Sequence, residues 1–464
     1  MPLDNFKSSL LTSDIIADLR DGLIGEGAMI PGLNGPVPLV YADYVASGRA
    51  LRQVEDFVTE HVLPFYANSH TEASYCGGYM TQLREDARSE IARLTNAGDD
   101  NTVIFAGTGA TAGLNRLVSL LGVNEARNPV VFIGPYEHHS NLLPWRESRA
   151  TVVEIPEAEN GGPDLQALGA ALLEHKDADL KIGSFSAASN VTGITTEPDA
   201  VTRLLKIHGA LSVWDYAGGA PYIPIDMQGA EGAAIDAVVI SCHKFAGGPG
   251  ASGLLILRDK AVRRKTPSWP GGGTVSFVSP WRQDYVESLA EREEAGTPNV
   301  IGDIRAALVF LVKEAVGDTE IEHREGKFCQ MAWDGWKNNP RLWVLGHKSA
   351  HRLPIFSFLV RDGAGDHVCE QQFTRTLSAV YGIQARGGCA CAGPYGHRLL
   401  GIERDFSEKL RREILSGDES NKPGWVRVNF GYLMDDNTVQ FVIDSVNELA
   451  NNWEAMAPKS AEAA

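Results

Sequence analysis

Long apolar runs are missing from this chain. No segment approaches the ~18 consecutive apolar residues a membrane-spanning helix requires, and residues 1–30 are mixed and polar, without the basic start and apolar centre of a secretory signal. Cysteine is scarce too. Six thiols among 464 residues make no disulfide framework and suit a reducing compartment, so a cytosolic protein is expected. Basic charge is in deficit: 42 Lys plus Arg stand against 59 Asp plus Glu, a formal net charge of -17. That balance argues against sequence-independent binding to nucleic acid or to an anionic membrane, while a small-molecule site can still be locally basic. Internal repeats and low-complexity tracts are absent. The length exceeds one ordinary core, so two domains are expected, with interior enough to bury a cofactor.

Residues 1–40 read as an N-terminal arm containing a helix, followed by the link Pro31-Gly32-Leu33-Asn34-Gly35-Pro36. Short apolar runs then recur at Val103–Phe105, Val130–Ile133, Val152–Ile155, Ile182–Phe185, Leu211–Trp214, Val238–Ile240 and Leu254–Leu257. Helical stretches separate several of them, as in Leu114, Leu117, Val118 and Leu121, and in Pro198–His208 stopped by Gly209. The alternation predicts an α/β fold, a mostly parallel seven-stranded sheet covered on both faces, in a large domain over residues 41–300. A helix over Ile301–Val316 leads into strand-like Ile355–Val360, Ile383–Arg386 and Val426–Phe430, expected to form a smaller α+β C-terminal domain over 301–455, against which the arm can pack. Residues 456–464 are expected to fray.

Lys244 follows the strand-like Asp236–Ile240 and precedes the glycine-rich Gly247-Gly248-Pro249-Gly250. An amine at the end of a buried strand is desolvated, becomes nucleophilic near neutral pH and can form a Schiff base with an aldehyde cofactor. Asp215 ends another apolar run that would lie beside the first in a parallel sheet. Alone, Asp215 would as readily cap a helix and Lys244 be a solvated loop lysine. Together they match the needs of pyridoxal phosphate (PLP): an anchoring amine, and a carboxylate that keeps the pyridine nitrogen protonated so that the ring stores carbanion charge.

Gly107-Thr108-Gly109-Ala110-Thr111 sits between a strand and a helix, where backbone N–H groups and the helix dipole meet a phosphate. Gly107, Gly109 and Ala112 also satisfy G-x-G-x-x-A, so a dinucleotide site must be weighed. Its test is an acidic residue ending the next strand, and there Gly134, Pro135 and Tyr136 follow instead. The same turn offers Glu137, His138 and His139. An imidazole at the carboxyl end of a parallel strand can stack on a pyridine ring. Paired histidines could instead hold a metal, but no Cys or carboxylate stands at ligand spacing, and no metal site is expected.

These residues, with Tyr41–Ser47, Asn68-Ser69-His70-Thr71, Ser189–Gly193, Ser241–Lys244, Glu294–Asn299 and Arg386–Pro394, resemble the class V aminotransferase family of fold type I PLP enzymes, and within it the cysteine desulfurase and selenocysteine lyase group. The resemblance runs from about Tyr41 to about Tyr432. It implies Lys244 as the Schiff-base lysine, Asp215 as the pyridinium partner and His138 as the stacking residue. Gly109, Ala110, Thr111, Ser241 and His243 would hold the phosphate, with Thr297 lent by the second subunit of a homodimer. Asn190 and Arg427 would hold the substrate carboxylate, with His70 and Arg386 also on the substrate side. Gly218 departs from the pattern, since the family usually has glutamine there, donating to the cofactor's phenolic oxygen. Tyr216 or a water is the available replacement.

Arg386, Gly388, Cys391, Ala392 and Pro394 match the desulfurase pattern Arg-x-Gly-x-x-Cys-Ala-x-Pro, which places the reactive thiol at Cys391. Its thiolate would attack the sulfur of bound L-cysteine, leaving alanine and a persulfide for an acceptor protein. Cys389 reads as a packed side chain or a persulfide relay, and a zinc site from Cys389, Cys391 and His397 lacks a fourth ligand. The alternative is a PLP aminotransferase, epimerase or C–S lyase of the same fold acting on a specialised amino acid.

Overall fold

The computed structural model describes residues 2–69 and 72–456. The seven apolar runs form one sheet from β1 (Asn101–Gly107), β2 (Pro129–Ile133), β3 (Thr151–Glu154), β4 (Leu180–Ser186), β5 (Leu211–Asp215), β6 (Ala237–Ile240) and β7 (Gly253–Arg258). Their order is β1-β7-β6-β5-β4-β2-β3. From β6 to β3 every neighbour is parallel, with Trp214 opposite Val238 and Asp215 opposite Val239. β7 pairs antiparallel with both β6 and β1. The link from Ile240 to Gly253 holds a single 3-10 turn, Cys242–Lys244, and no crossover helix, so the chain can only fold back. Lys244 rides on that link.

β2, β4, β5 and β6 are buried along nearly their whole length, which explains why they read as continuous apolar runs. Their carboxyl ends lead into His138, Asn190, Asp215 and Lys244, at the edge where open sheets of this class bind ligands. The helix Val300–Val316 is apolar nearly all round and shares a core with the arm residues Leu3, Phe6 and Leu19.

A second sheet is antiparallel, in the order β8 (Leu342–Val344), β9 (Ile355–Val360), β11 (Trp425–Asn429), β10 (Arg386–Gly388). The run expected as one strand over Ile383–Arg386 is split. Ile383–Gln384 pairs in parallel with Val40–Tyr41, and Arg386–Gly388 moves to the edge of β11. This split brings the segment after Pro38 against the Arg386 strand. Tyr44 and Ala42 join the core of the second sheet, and Arg20 donates to the carbonyl of Leu433 (2.7 Å). Among the described residues no helix is long and apolar enough to cross a membrane. Of the tail expected to fray, residues 457–464 lie outside the described residues.

Candidate active site

A cleft of ≈ 260 Å³ opens at the carboxyl edge of the large sheet, and Lys244, Asp215, His138, Arg427, Arg386 and Cys391 all line it. The phosphate-side residues Gly109, Ala110, Thr111, Ser241 and His243 line it too, as do Asn190 and Gly218.

Burial moves the groups at its base. The Lys244 amine is lowered to about 8, chiefly because the cleft desolvates it; Asp215 pulls the other way, and Arg427 and Arg386 add to the lowering. Asp215 is raised by burial, opposed by the Ala217 N–H that donates to its Oδ1 (2.8 Å) and by Lys244. His138 is lowered to about 4 by burial and then by the charge on Lys244, so it is neutral at physiological pH. Its Nδ1 accepts the Ser140 N–H (3.1 Å), which leaves the ring proton on Nε2.

The phosphate side is built on the first turn of the helix Gly109–Leu120. Ala110 N–H donates to Ser241 Oγ (2.9 Å), leaving that hydroxyl's own proton free for an anion, and Thr111 Oγ1 lies 2.7 Å from Ser140 Oγ. Gly109 is in the left-handed region (φ +64°), and a Cβ there would come within 2.8 Å of Ser241 Oγ.

Across the cleft, Asp43 joins the two arginines: its Oδ1 accepts from Arg427 Nη2 (2.7 Å) and its Oδ2 from Arg386 Nε (3.0 Å). Arg427 Nη1 donates to the Asn190 carbonyl (3.0 Å), while Arg427 Nε and Asn190 Oδ1 are buried without a partner. A buried cation in this state is built to receive an anion.

Cys391 is exposed on a loop whose residues Ala390 (φ +50°) and Cys391 (φ +54°) are both left-handed. Non-glycine residues rarely adopt this conformation, and two in succession need outside support. His139 N–H donates to the Cys391 carbonyl (2.9 Å), Asn190 Nδ2 to the Ala390 carbonyl (2.7 Å) and Gly393 N–H to His139 Nε2 (3.0 Å).

Three residues named from the sequence do not line this cleft among the described residues, Thr297 having been expected to act in the second subunit's. His70 lies outside the described residues. Thr297 is exposed and does not line the cleft. Tyr216 cannot replace the missing glutamine donor: it is buried (2 % exposed) and lines a separate cavity, so the wall at Gly218 carries no donor from it.

Asp43 shows in the sequence only inside the Tyr41–Ser47 run, and its pairing does not show at all, because 343 and 384 positions separate it from its two arginines. Glu137 was visible only as part of a motif. Its carboxylate is buried and gathers Gly134 N–H, Ser186 N–H, Ser186 Oγ and Asn141 Nδ2, fixing the turn that carries His138.

The family model for aminotransferase class-V matches residues 40–442. A probable cysteine desulfurase of Halalkalibacterium halodurans is 28% identical over 364 residues, covering 77% of this chain and 85% of that protein. A cysteine desulfurase of Klebsiella pneumoniae is 29% identical over 376 residues, covering 79% and 88%. Among solved structures, a cysteine desulfurase from Thermococcus onnurineus NA1 superposes with a TM-score of 0.73 at 23% identity, covering 89% of this chain and 94% of that one. One from Escherichia coli gives 0.71 at 22%, covering 93% and 98%. Both share the fold.

Proposed function

The chain belongs to the class-V aminotransferase family, and on that premise we propose that it is a PLP-dependent cysteine desulfurase. It would act as a cytosolic homodimer that takes sulfur from L-cysteine, or selenium from selenocysteine, and leaves alanine. The observation that carries this reading is the convergence of Lys244, Asp215, Arg427 and Cys391 on one cleft. The relatives named cysteine desulfurase support it.

The cleft fits PLP on its own chemistry. Lys244 supplies an amine with its proton loosened, Asp215 a buried carboxylate, and Ser241, Thr111 and the start of the Gly109–Leu120 helix a seat for a dianion. Bound there, PLP supplies an aldehyde for an amine and a ring that stores carbanion charge.

The protein's own groups do the rest. Arg427, fixed by Asp43 and the Asn190 carbonyl, has an unpartnered Nε for the substrate carboxylate. Lys244 would anchor PLP through its amine and, when not so engaged, would serve as the base for the α proton. Neutral His138, held by Ser140, lines the same cleft with its proton on Nε2, and would be the residue beside the cofactor ring. Cys391 then attacks the substrate sulfur. An S–S bond would form as the Cβ–S bond breaks, the electron pair passing to carbon, and a proton delivered to Cβ with return of the α proton from Lys244 would complete alanine. The persulfide on Cys391 stands on an exposed loop, open to an acceptor protein.

Thr297 would complete the phosphate site of the other subunit. Exposed Trp269, Trp281, Phe277 and Val278 between β7 and Thr297 support a protein-covered face there.

A Cys391→Ser variant tests the reading. It should keep the yellow cofactor band and lose sulfide release from cysteine. Unchanged sulfide release would point to elimination by a C–S lyase, and keto acid formation to an aminotransferase.

A further inference from the structure

We propose that Glu294 is the positioning residue that holds Thr297 ready for the cofactor site of the second subunit. The inference rests on the reading above that Thr297 acts across a homodimer.

Thr297 lies mid-loop between the helices Leu289–Glu293 and Val300–Val316. The loop's exposed centre contrasts with its fastened ends. At its far end Asn299 caps the second helix through the Gly302 N–H (3.3 Å) and reaches Ser252 Oγ (3.4 Å). Between the ends Gly296 takes a left-handed turn (φ +86°) with its N–H on the Gly272 carbonyl (2.9 Å), and Thr297 projects beyond it into solvent.

The near end is Glu294, 9 % exposed, in a buried ion cluster. Its Oε2 accepts from Arg84 Nη2 (2.5 Å) and Arg88 Nη2 (3.0 Å), and its Oε1 from Arg88 Nη1 (2.8 Å) and the Phe105 N–H (2.7 Å). Arg84 continues to Asp303 (2.7 Å) at the start of the following helix, and both guanidiniums lie over the Phe105 ring. Burial opposes ionisation of Glu294, but Arg88 and Arg84 outweigh it and hold the carboxyl below its ordinary range.

Phe105 belongs to β1, the edge strand of the large sheet, and Glu294 takes its outward N–H. The loop is thereby fastened to the large sheet and to the helix Tyr75–Leu94. Burying ions at a loop base is costly before they are paired, out of proportion to holding a surface turn. It suits a turn whose tip must be placed within fractions of an ångström in another subunit's site.

The test reads cofactor affinity by absorbance titration in dimers assembled from two differently tagged subunits. A Glu294→Ala homodimer should bind PLP ~10-fold or more weakly, comparable to Thr297→Ala and about the loss of one charge-assisted hydrogen bond, with dimer mass and helix content retained. Glu294→Gln, which keeps an acceptor for Phe105, should lose less, and it serves in place of Ala if that variant does not fold.

In a mixed dimer of Glu294→Ala with Lys244→Ala subunits, the site that retains Lys244 receives Thr297 from an intact loop, so its affinity should return to that of the unmodified protein. An affinity that stays low would overturn the proposal, because Glu294 would then act only within its own subunit. If Thr297→Ala is not rescued in the same pairing, the cross-subunit reading of Thr297 fails, and this inference with it.

Discussion

The amine of Lys244 is held near 8 because the cleft strips it of water, while Asp215 restores part of its basicity. A solvated lysine, at about 10.4, would be almost wholly protonated at neutral pH. Cofactor uptake by the cofactor-free protein should therefore rise with pH only to about 8 and then level off, followed by the growth of the yellow band. Asp215→Asn removes the charge that favours the ammonium, so the plateau should begin at a lower pH; a plateau that moves upward contradicts the assignment. Arg427→Lys cannot serve Asp43, the Asn190 carbonyl and a substrate carboxylate at once, and it should raise KM for cysteine ~10–100-fold with the cofactor band unchanged. At this scale the sequence shows Lys244 and Asp215 because Asp215 ends an apolar strand and Lys244 closely follows another. Tyr216 misleads for a related reason: side chains alternate along a strand, so with Asp215 turned into the cleft its neighbour is turned away. The role of Asp43 is hidden even though its run carries the resemblance, because only the folded chain brings it to Arg386 and Arg427.

Elements place these groups, and two of them depart from a simple reading. β7 reverses because the link carrying Lys244 holds no crossover helix, and that reversal packs Gly253 against the phosphate turn. A Cβ on Gly253 would fall 2.3 Å from Gly109 Cα, a collision between backbones that no rotamer relieves. Gly253→Ala should therefore weaken PLP retention on dialysis as well as lower the urea midpoint, while a variant that keeps its cofactor as the parent does would show that the turn does not seat the phosphate. The other departure is the split of Ile383–Arg386, whose halves join different partners. Apolar patterning marks both halves as extended, and it holds no information about which neighbour each finds. The left-handed Ala390 and Cys391 are equally hidden, since neither is a glycine. Ala390→Gly should relax that loop by about 1 kcal/mol and Ala390→Val strain it by at least as much, read as opposite shifts in the urea midpoint.

At the scale of the molecule, a net charge of -17 surrounds a cleft with basic Lys244, Arg386 and Arg427 at its mouth and floor. Alternating strand and helix signals were enough to foresee the large sheet, because burial on both faces writes a continuous apolar run into each strand. The assembly is less legible, since a protein-covered face and a loose apolar patch have the same composition. Exposed Trp281 and Trp269 lie in the stretch before Thr297, so Trp281→Glu should shift the sedimentation mass toward one subunit and weaken cofactor binding together. A monomer that retains full affinity would separate the patch from the site.

The expectations for cofactor and activity presuppose a covalent bond between PLP and one amine. Borohydride reduction of the purified protein, followed by digestion and mass spectrometry, should place a pyridoxyl group on the peptide containing Lys244 and abolish activity in proportion to labelling. No adduct, or an adduct on another lysine, would contradict the account.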